Sequence, residues 1–271
     1  MNKKDKILII CGNLIKHKYF AIKLLKKFKN SNVIFENYPV KISYNYTPHK
    51  SKILNEHFEK VKFYEKKYFK EFCKKNEKFL KKKTFLTVKK GTINSEKVFR
   101  TVKKINPNLI ILNATSLIKK KLLNSYKNKI INVHAGLIPY YRGAGCNVWT
   151  FFKKELEYTG VTVHFVNDKI DNGKILLQEQ SKFQKNDNTH TIGCKNAKLG
   201  LKLSIETIKY LLENPNYKGK NILTKKNSIF YKKNFNENVV KKINALIKKG
   251  LVKDYILNKK EVKLIKLFKK K

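Results

Sequence analysis

Four apolar runs, each closed by a polar or glycine break, recur along the first half of the chain: Ile7-Leu8-Ile9-Ile10-Cys11, Val33-Ile34-Phe35, Leu109-Ile110-Ile111-Leu112, and Ile130-Ile131 running on to Val133. Continuous runs of this kind predict strands buried on both faces, the signature of a parallel sheet. Between the first two, Tyr19, Phe20, Ile22, Leu24, Leu25 and Phe28 repeat at roughly helical spacing among lysines, which predicts an amphipathic helix over 17–29. The resulting β-α-β opening is Rossmann-like. It lacks a Gly-x-Gly-x-x-Gly fingerprint and offers only Gly12 for close ligand approach, which argues against a dinucleotide dehydrogenase.

A lysine-laden stretch, 51–82, carries Phe58, Val61, Tyr64, Tyr68, Phe69 and Phe72 on one side and predicts a long helix packed on the body. Phe85 to Val88 reads as a short strand, and Asn94-Ser95 as the cap of a helix through 98–104. Gly160 to Val166 and Lys174 to Gln178 read as two more strands, and 188–213 as a helix ended by Pro215 and Gly219. Ile222-Leu223 and Ile229-Phe230-Tyr231 suggest a small hairpin, 235–249 a helix and 251–271 a lysine-rich tail. The expected fold class is α/β, a Rossmann-like, mostly parallel sheet with helices on both faces. A body over 1–213 carries a small, mainly helical appendage over 214–271.

Charge changes this picture less than its size suggests. The 271 residues carry a formal net charge of +44, which ordinarily points to nucleic acid or an anionic membrane. Of the 63 basic residues, however, only Arg100 and Arg142 are arginine. Base reading and bidentate phosphate contacts usually employ Arg, so we read the lysines as an AT-rich coding bias spread over the surface. Against that background Arg142 and the one tryptophan, Trp149, stand out, either as a guanidinium and an aromatic wall at a ligand site or as a loop anchor and a core side chain. Cys11, Cys73, Cys146 and Cys194 are too scattered for a zinc site or a disulfide framework. The apolar run near the N-terminus is too short for a secretory segment, and nothing approaches the ~20 apolar residues of a membrane span, so the expected location is the cytoplasm.

Candidate chemistry concentrates in 131–179. Asn132 and His134 alternate with apolar residues, so a strand would project both to one side. After Pro139 comes a loop with Gly143 and Gly145, suited to tight turns near a ligand. Asp171 follows the next strand in a polar turn, and alone it would read as a turn residue. His164 reads as structural or as an edge of the pocket, and Cys146 as a packing residue.

The words Asn132-Val133-His134, Leu137-Ile138-Pro139-x-Tyr141-Arg142-Gly143, Gly160-Val161-Thr162-Val163-His164 and Asp168-x-Ile170-Asp171-x-Gly173-x-Ile175 resemble the signature of the folate-dependent formyltransferases. That superfamily includes glycinamide ribonucleotide transformylase, methionyl-tRNA formyltransferase and the nucleotide-sugar N-formyltransferases. The resemblance makes 1–213 a formyltransferase-like catalytic domain. It implies 10-formyltetrahydrofolate as co-substrate, no metal, and direct attack of a primary amine through a tetrahedral intermediate. By position, Asn132 would donate to the oxyanion, His134 would donate or shuttle a proton, and Asp171 would tune His134 and order a relaying water. Ser116, Leu117 and Ile118, with Val166, Asn167 and Asp168, would hold the folate. Gly12, Asn13, Arg142 and Gly143 would meet the acceptor, although the serine expected beside Gly12 is missing and His17 and Lys18 follow instead. The expected acceptor is a sugar nucleotide, with Tyr140, Tyr141 and Trp149 as a stacking surface, or a glycinamide-type ribonucleotide. A methionyl-tRNA enzyme and a non-catalytic RNA-binding protein on the same scaffold are the alternatives. A homodimer is an allowed assembly.

Overall fold

The computed structural model describes residues 5–37 and 51–267; the first residues of the basic N-terminal start and the end of the lysine-rich tail lie outside them. The chain runs β1 (Ile7–Gly12), α1 (Ile15–Lys27), β2 (Ser31–Asn37), α2 (Lys52–Lys75), α3 (Glu77–Lys83), β3 (Thr84–Lys89), α4 (Glu96–Ile105), β4 (Leu109–Asn113), α5 (Lys120–Ser125) and β5 (Ile130–His134). It continues through β6 (Tyr141–Gly143), α6 (Cys146–Phe152), β7 (Gly160–Phe165), β8 (Ile175–Gln180), α7 (Thr189–Glu213), β9 (Ser228–Phe230), α8 (Glu237–Lys248) and α9 (Leu251–Leu257). Seven strands form one sheet in the order β3-β2-β1-β4-β5-β7-β8. The pairings from β3 to β5 are parallel, and β7 and β8 join antiparallel.

Burial follows position in that order. Central β1 is buried throughout, whereas edge strand β3 alternates half-buried and exposed residues. Ile7, Ile9 and Cys11 pack with Phe20 and Leu24 of α1 and Leu203 of α7. Leu8 and Ile10, pointing the other way, pack with Val98 and Val102 of α4. Helices therefore cover both faces, as the apolar runs require.

Several boundaries depart from expectation. The helix expected over 51–82 stops at Asn76, whose side-chain amide bonds the Phe72 carbonyl, and restarts as α3. Ser95 caps α4 without a side-chain bond, because Asn94 instead ties Leu117 and Lys119. The expected 222–231 hairpin does not form: β9 pairs in parallel with β6, while Lys220 bridges to Ile175. Part of the expected tail is helix α9, and the backbone at Ile265 bonds Gln178. Ile222, Val239, Ile243, Val252 and Ile265 share a core with Leu137, Ile138 and Phe151, so 214–267 is packed into the body and has no core of its own.

Candidate active site

β4 and β5 end side by side, and the chain leaves each at the C-terminal edge of the sheet, where open α/β folds bind ligands. A cavity of about 840 Å³ lies there, within the size range of small-molecule sites. Its floor is set by strand register. Asn132 and His134 are alternate residues of β5, and antiparallel pairing places His164 of β7 directly across from Asn132. The turn between β7 and β8 then brings in Asp171, which adopts φ +43°, a conformation that Asp tolerates better than most residues.

The four side chains meet. Asp171 Oδ2 lies 3.3 Å from His134 Nδ1 and accepts the Gly143 N–H at 2.9 Å. Its Oδ1 lies 3.3 Å from Asn132 Nδ2 and 3.6 Å from His164 Nε2. Burial pushes the Asp171 carboxyl up. The charges of His134 and His164 and the bonds from His164 and Gly143 outweigh that and hold it well below the usual carboxylate range. Gly143 can present its N–H because it sits at φ +86°, and a Cβ there would lie 2.2 Å from the Phe230 carbonyl.

Tautomers follow from the partners. The Tyr141 carbonyl, 3.0 Å from His134 Nε2, can only accept, so Nε2 carries a hydrogen and Nδ1 faces the carboxylate. By the same logic His164 Nδ1 donates to the Phe165 carbonyl at 2.8 Å. His164 Nε2 then accepts from Asn132 Nδ2 at 3.2 Å, or faces Asp171 when protonated. With His164 neutral, the two Asn132 amide hydrogens point at His164 and Asp171. Cys146 Sγ sits 3.4 Å from His134 Nε2, but burial and Asp171 push its thiol well up, which suits packing.

On one side of this cluster the cavity is lined by Leu112, Ser116, Leu117, Ile118, Val166 and Asn167. Fully buried Glu36 braces that wall by accepting from Ser116 N at 2.6 Å and Gly91 N at 2.8 Å. Asp168, expected beside them, is exposed and does not line the cavity. On the other side Leu14, Lys16 and His17 line it, whereas Gly12 and Asn13 do not. Gly12 backs the His17 ring and Asn13 bonds Asn37.

Arg142 is also displaced from its expected place. It is buried, donates to Asn172 Oδ1 and anchors the turn that carries Asp171. Tyr140, Tyr141 and Trp149 form no stacking surface in the cavity; they are core residues, with Trp149 lying over Phe230 and donating to the Ala144 carbonyl. Residues missed from the sequence include Phe230, Tyr231 and Lys232, which reach the cavity from the C-terminal segment, and Asn196 of α7. Lys232 meets Lys90 at the cavity, and partial burial and that neighbouring ammonium push it down. Gly193, Asn196, Ala197 and Gly200 fall at i, i+3, i+4 and i+7, a face too small and polar for a core and the one signal that points there. Among the described residues no group of three or more His, Cys, Asp or Glu could hold a metal ion, and no helix is long and apolar enough to cross a membrane.

A Rossmann-like sheet whose C-terminal edge carries an Asn and a His that both contact one Asp beside a cavity defines the class: an α/β protein with a polar site at the strand ends. The formyl transferase family model matches residues 54–208, and the chain belongs to that family. Methionyl-tRNA formyltransferase of Caldicellulosiruptor saccharolyticus is 40% identical over 116 residues, which are 42% of this chain and 37% of that protein. The chain therefore spans well under half the length of this curated relative. Phosphoribosylglycinamide formyltransferase from Anaplasma phagocytophilum shares the fold at 14% identity, with TM-score 0.56 over 84% of this chain and 98% of that one. So does a sugar 3-N-formyltransferase solved with dTDP and 5-N-formyltetrahydrofolate, at 20% identity and TM-score 0.55 over 86% and 71%.

Proposed function

We propose that the protein transfers a formyl group from 10-formyltetrahydrofolate to a primary amine of a small acceptor, a sugar nucleotide or a glycinamide-type ribonucleotide. The observation that carries this reading is the contact of Asn132, His134 and Asp171 at the floor of the cavity. The cavity fits the co-substrate: Leu112, Ile118 and Val166 give apolar walls for a flat heterocycle, and the irregular backbone at 114–118 and 166–171 offers polar groups to its edge. Ser116, Leu117, Ile118, Val166 and Asn167 would hold it. When bound, it would supply the formyl carbon that the amine attacks.

The chain's own groups then have separate tasks. Asn132 Nδ2, by giving up its long bond to Asp171, would donate to the oxygen that becomes negative. A proton on His134 Nδ1 would be shared with Asp171, which makes this pair the place to hold and return the proton released by the amine. His164 and the Gly143 N–H keep Asp171 charged, so the pair stays polarised. Lys90 and Lys232 would face the anionic portions of either ligand.

A second reading, formylation of an aminoacyl-tRNA, is favoured by the 40% identity to a methionyl-tRNA formyltransferase and by the net charge. An acceptor screen with 10-formyltetrahydrofolate, reading tetrahydrofolate release, tests both. Formylated product from any amine, lost in Asn132→Ala, supports transfer. Release of tetrahydrofolate unaffected by Asn132→Ala and His134→Ala would refute the assigned site.

A further inference from the structure

His134, Thr162 and Gln178 stand in one row across the sheet, and the mechanism above uses only the first of them. Antiparallel register sets Thr162 of β7 opposite His134 of β5, and Gln178 of β8 opposite Thr162. Directly opposed residues project from the same face. Thr162 and Gln178 are fully buried, and their polar atoms are all used. Gln178 Nε2 donates to the Ile138 carbonyl at 2.7 Å and to Thr162 Oγ1 at 2.9 Å, and its Oε1 accepts from the Ile265 N–H at 3.2 Å. The Thr162 hydroxyl donates to the Gly136 carbonyl at 2.7 Å and accepts from the Ile138 N–H at 3.2 Å. Only one orientation of the Gln178 amide fits: turned round, it would set oxygen against the Ile138 carbonyl and NH2 against the Ile265 N–H.

A satisfied buried network stiffens any fold. What ties this one to the chemistry is where it ends. Gly136, held by Thr162, lies so near the imidazole that a Cβ on it would come 2.6 Å from His134 Nε2 and 2.9 Å from the Tyr141 carbonyl. That carbonyl fixes the ring by accepting from Nε2, and Tyr141 is itself turned back by its N–H bond to the Leu137 carbonyl at 2.9 Å. Three bonds from Thr162 and Gln178 therefore hold the backbone at 136 and 138, on the loop that sets the ring whose Nδ1 faces Asp171. At its other end the row is clamped by the C-terminal segment. Strand β8 is the edge of the sheet, and Ile265 engages Gln178 twice, by its N–H to Oε1 and by its carbonyl to the Gln178 N–H at 2.9 Å.

We propose that Gln178 is a positioning residue for the reaction: clamped at Ile265, it sets through Thr162 and the 136–141 loop where the His134 imidazole stands beside Asp171. What His134 then does rests on the formyl-transfer reading.

The test uses the full chain, isotope-labelled at the histidine nitrogens. Exchange of the His134 Nε2–H with water is read by nuclear magnetic resonance without substrate, and the signal is assigned by its absence from His134→Gln. Gln178→Met keeps the length of the side chain and leaves the Ile138 carbonyl and the Ile265 N–H unpaired. It should speed that exchange about tenfold and lower kcat about tenfold, with the acceptor KM and the Kd of 5-formyltetrahydrofolate within about twofold of wild type. Thr162→Val should do the same, and Thr162→Ser, which keeps the hydroxyl, should recover most of the loss. Ile265→Pro removes the N–H that Gln178 Oε1 accepts and leaves every strand of the sheet intact, so it should give a smaller loss of the same kind and add little to Gln178→Met. If the sheet variants fail to fold, Ile265→Pro decides alone. Wild-type exchange in Gln178→Met, a loss of kcat matched by rises in both acceptor KM and donor Kd, or equal losses in Thr162→Ser and Thr162→Val would overturn the role of Gln178. So would wild-type exchange and kcat in Ile265→Pro when it decides alone. Faster exchange in Gln178→Met without transfer to any amine by the wild type would leave the positioning of His134 standing and remove the formyl-transfer reading.

Discussion

Replacing Asp171 with asparagine changes almost no volume and removes the charge on which the site converges. The carboxylate accepts from Gly143 N at 2.9 Å and lies within 3.3 Å of both Asn132 Nδ2 and His134 Nδ1. An amide has only one acceptor oxygen. If that oxygen keeps the Gly143 N–H, the new NH2 group points at Asn132 Nδ2, donor against donor, or takes the lone pair of His164 Nε2. If the amide turns round, its hydrogens oppose the Gly143 N–H. Charge-assisted bonds are worth about 1.5–3 kcal/mol each, and one is lost outright in either orientation, so Asp171→Asn should cost about 2–3 kcal/mol of stability. The proton held between His134 and residue 171 loses its acceptor as well, which should lower kcat by about 10²–10⁴-fold.

Two assays check this. Thermal unfolding should show Tm lowered by several degrees, and steady-state transfer should show the loss in kcat with donor affinity retained. The pH dependence has a definite sign. Asp171 is depressed in the folded protein, so its stabilisation is complete above the unfolded carboxyl pKa of about 3.9 and is lost as pH falls through the lower folded value. The stability gap between wild type and Asp171→Asn should therefore close as pH falls below about 4. A variant within threefold of wild-type kcat, or a stability gap that widens as pH falls below about 4, would refute the role given to this carboxylate.

Three further perturbations follow from the same geometry. Glu36→Gln keeps one acceptor for Gly91 N but turns a donor toward Ser116 N, so it should cost about 2–4 kcal/mol in thermal unfolding and weaken 5-formyltetrahydrofolate binding more than acceptor binding. Gly143→Ala should destabilise by at least ~2 kcal/mol and reduce kcat, because φ +86° is strained for alanine and the Phe230 carbonyl lies 2.2 Å from where Cβ would go; unchanged Tm would count against the observed loop. Truncation after Glu213 strips five aliphatic side chains from a shared core, each worth about 1.5–3 kcal/mol of burial, so 1–213 should be insoluble or molten by circular dichroism and protease sensitivity.

What the sequence made legible was what depends on local pattern. The all-apolar runs located the buried strands because a strand covered on both faces leaves no place for a polar residue, and the alternation at 132 and 134 placed both side chains on one face. The meeting of Asn132, His134 and Asp171 was also expected, through family likeness. Arg142 misled because rarity in a lysine-rich chain marks a constraint without saying which; here the constraint is the Asn172 turn. Tyr140, Tyr141 and Trp149 misled because an aromatic beside a glycine loop suits a ligand wall or a core equally well. The β6–β9 pairing joins residues almost ninety positions apart through backbone groups, for which three-residue strands leave no pattern. The Lys90–Lys232 pair was hidden for the same reason, since only tertiary packing brings it to the cavity.

The least expected link runs from the C-terminal segment to the chemistry. Strand β9 holds β6, and the Phe230 carbonyl accepts the Ala144 N–H at 2.8 Å, which fixes the turn that presents the Gly143 N–H to Asp171. Phe230 also lies under Trp149, whose indole donates to the Ala144 carbonyl, so both the N–H and the C=O of Ala144 are held. One hydrogen bond to a buried carboxylate thus depends on a strand that follows α7, and the adjoining Tyr231 and Lys232 line the same cavity. A segment that merely decorated the catalytic body would have no reason to supply backbone support for Asp171 and part of the cavity wall at once. This double contribution is why 214–267 belongs to the site as well as to the core, and why substitutions at Phe230 should reach the reaction through the position of the Gly143 amide.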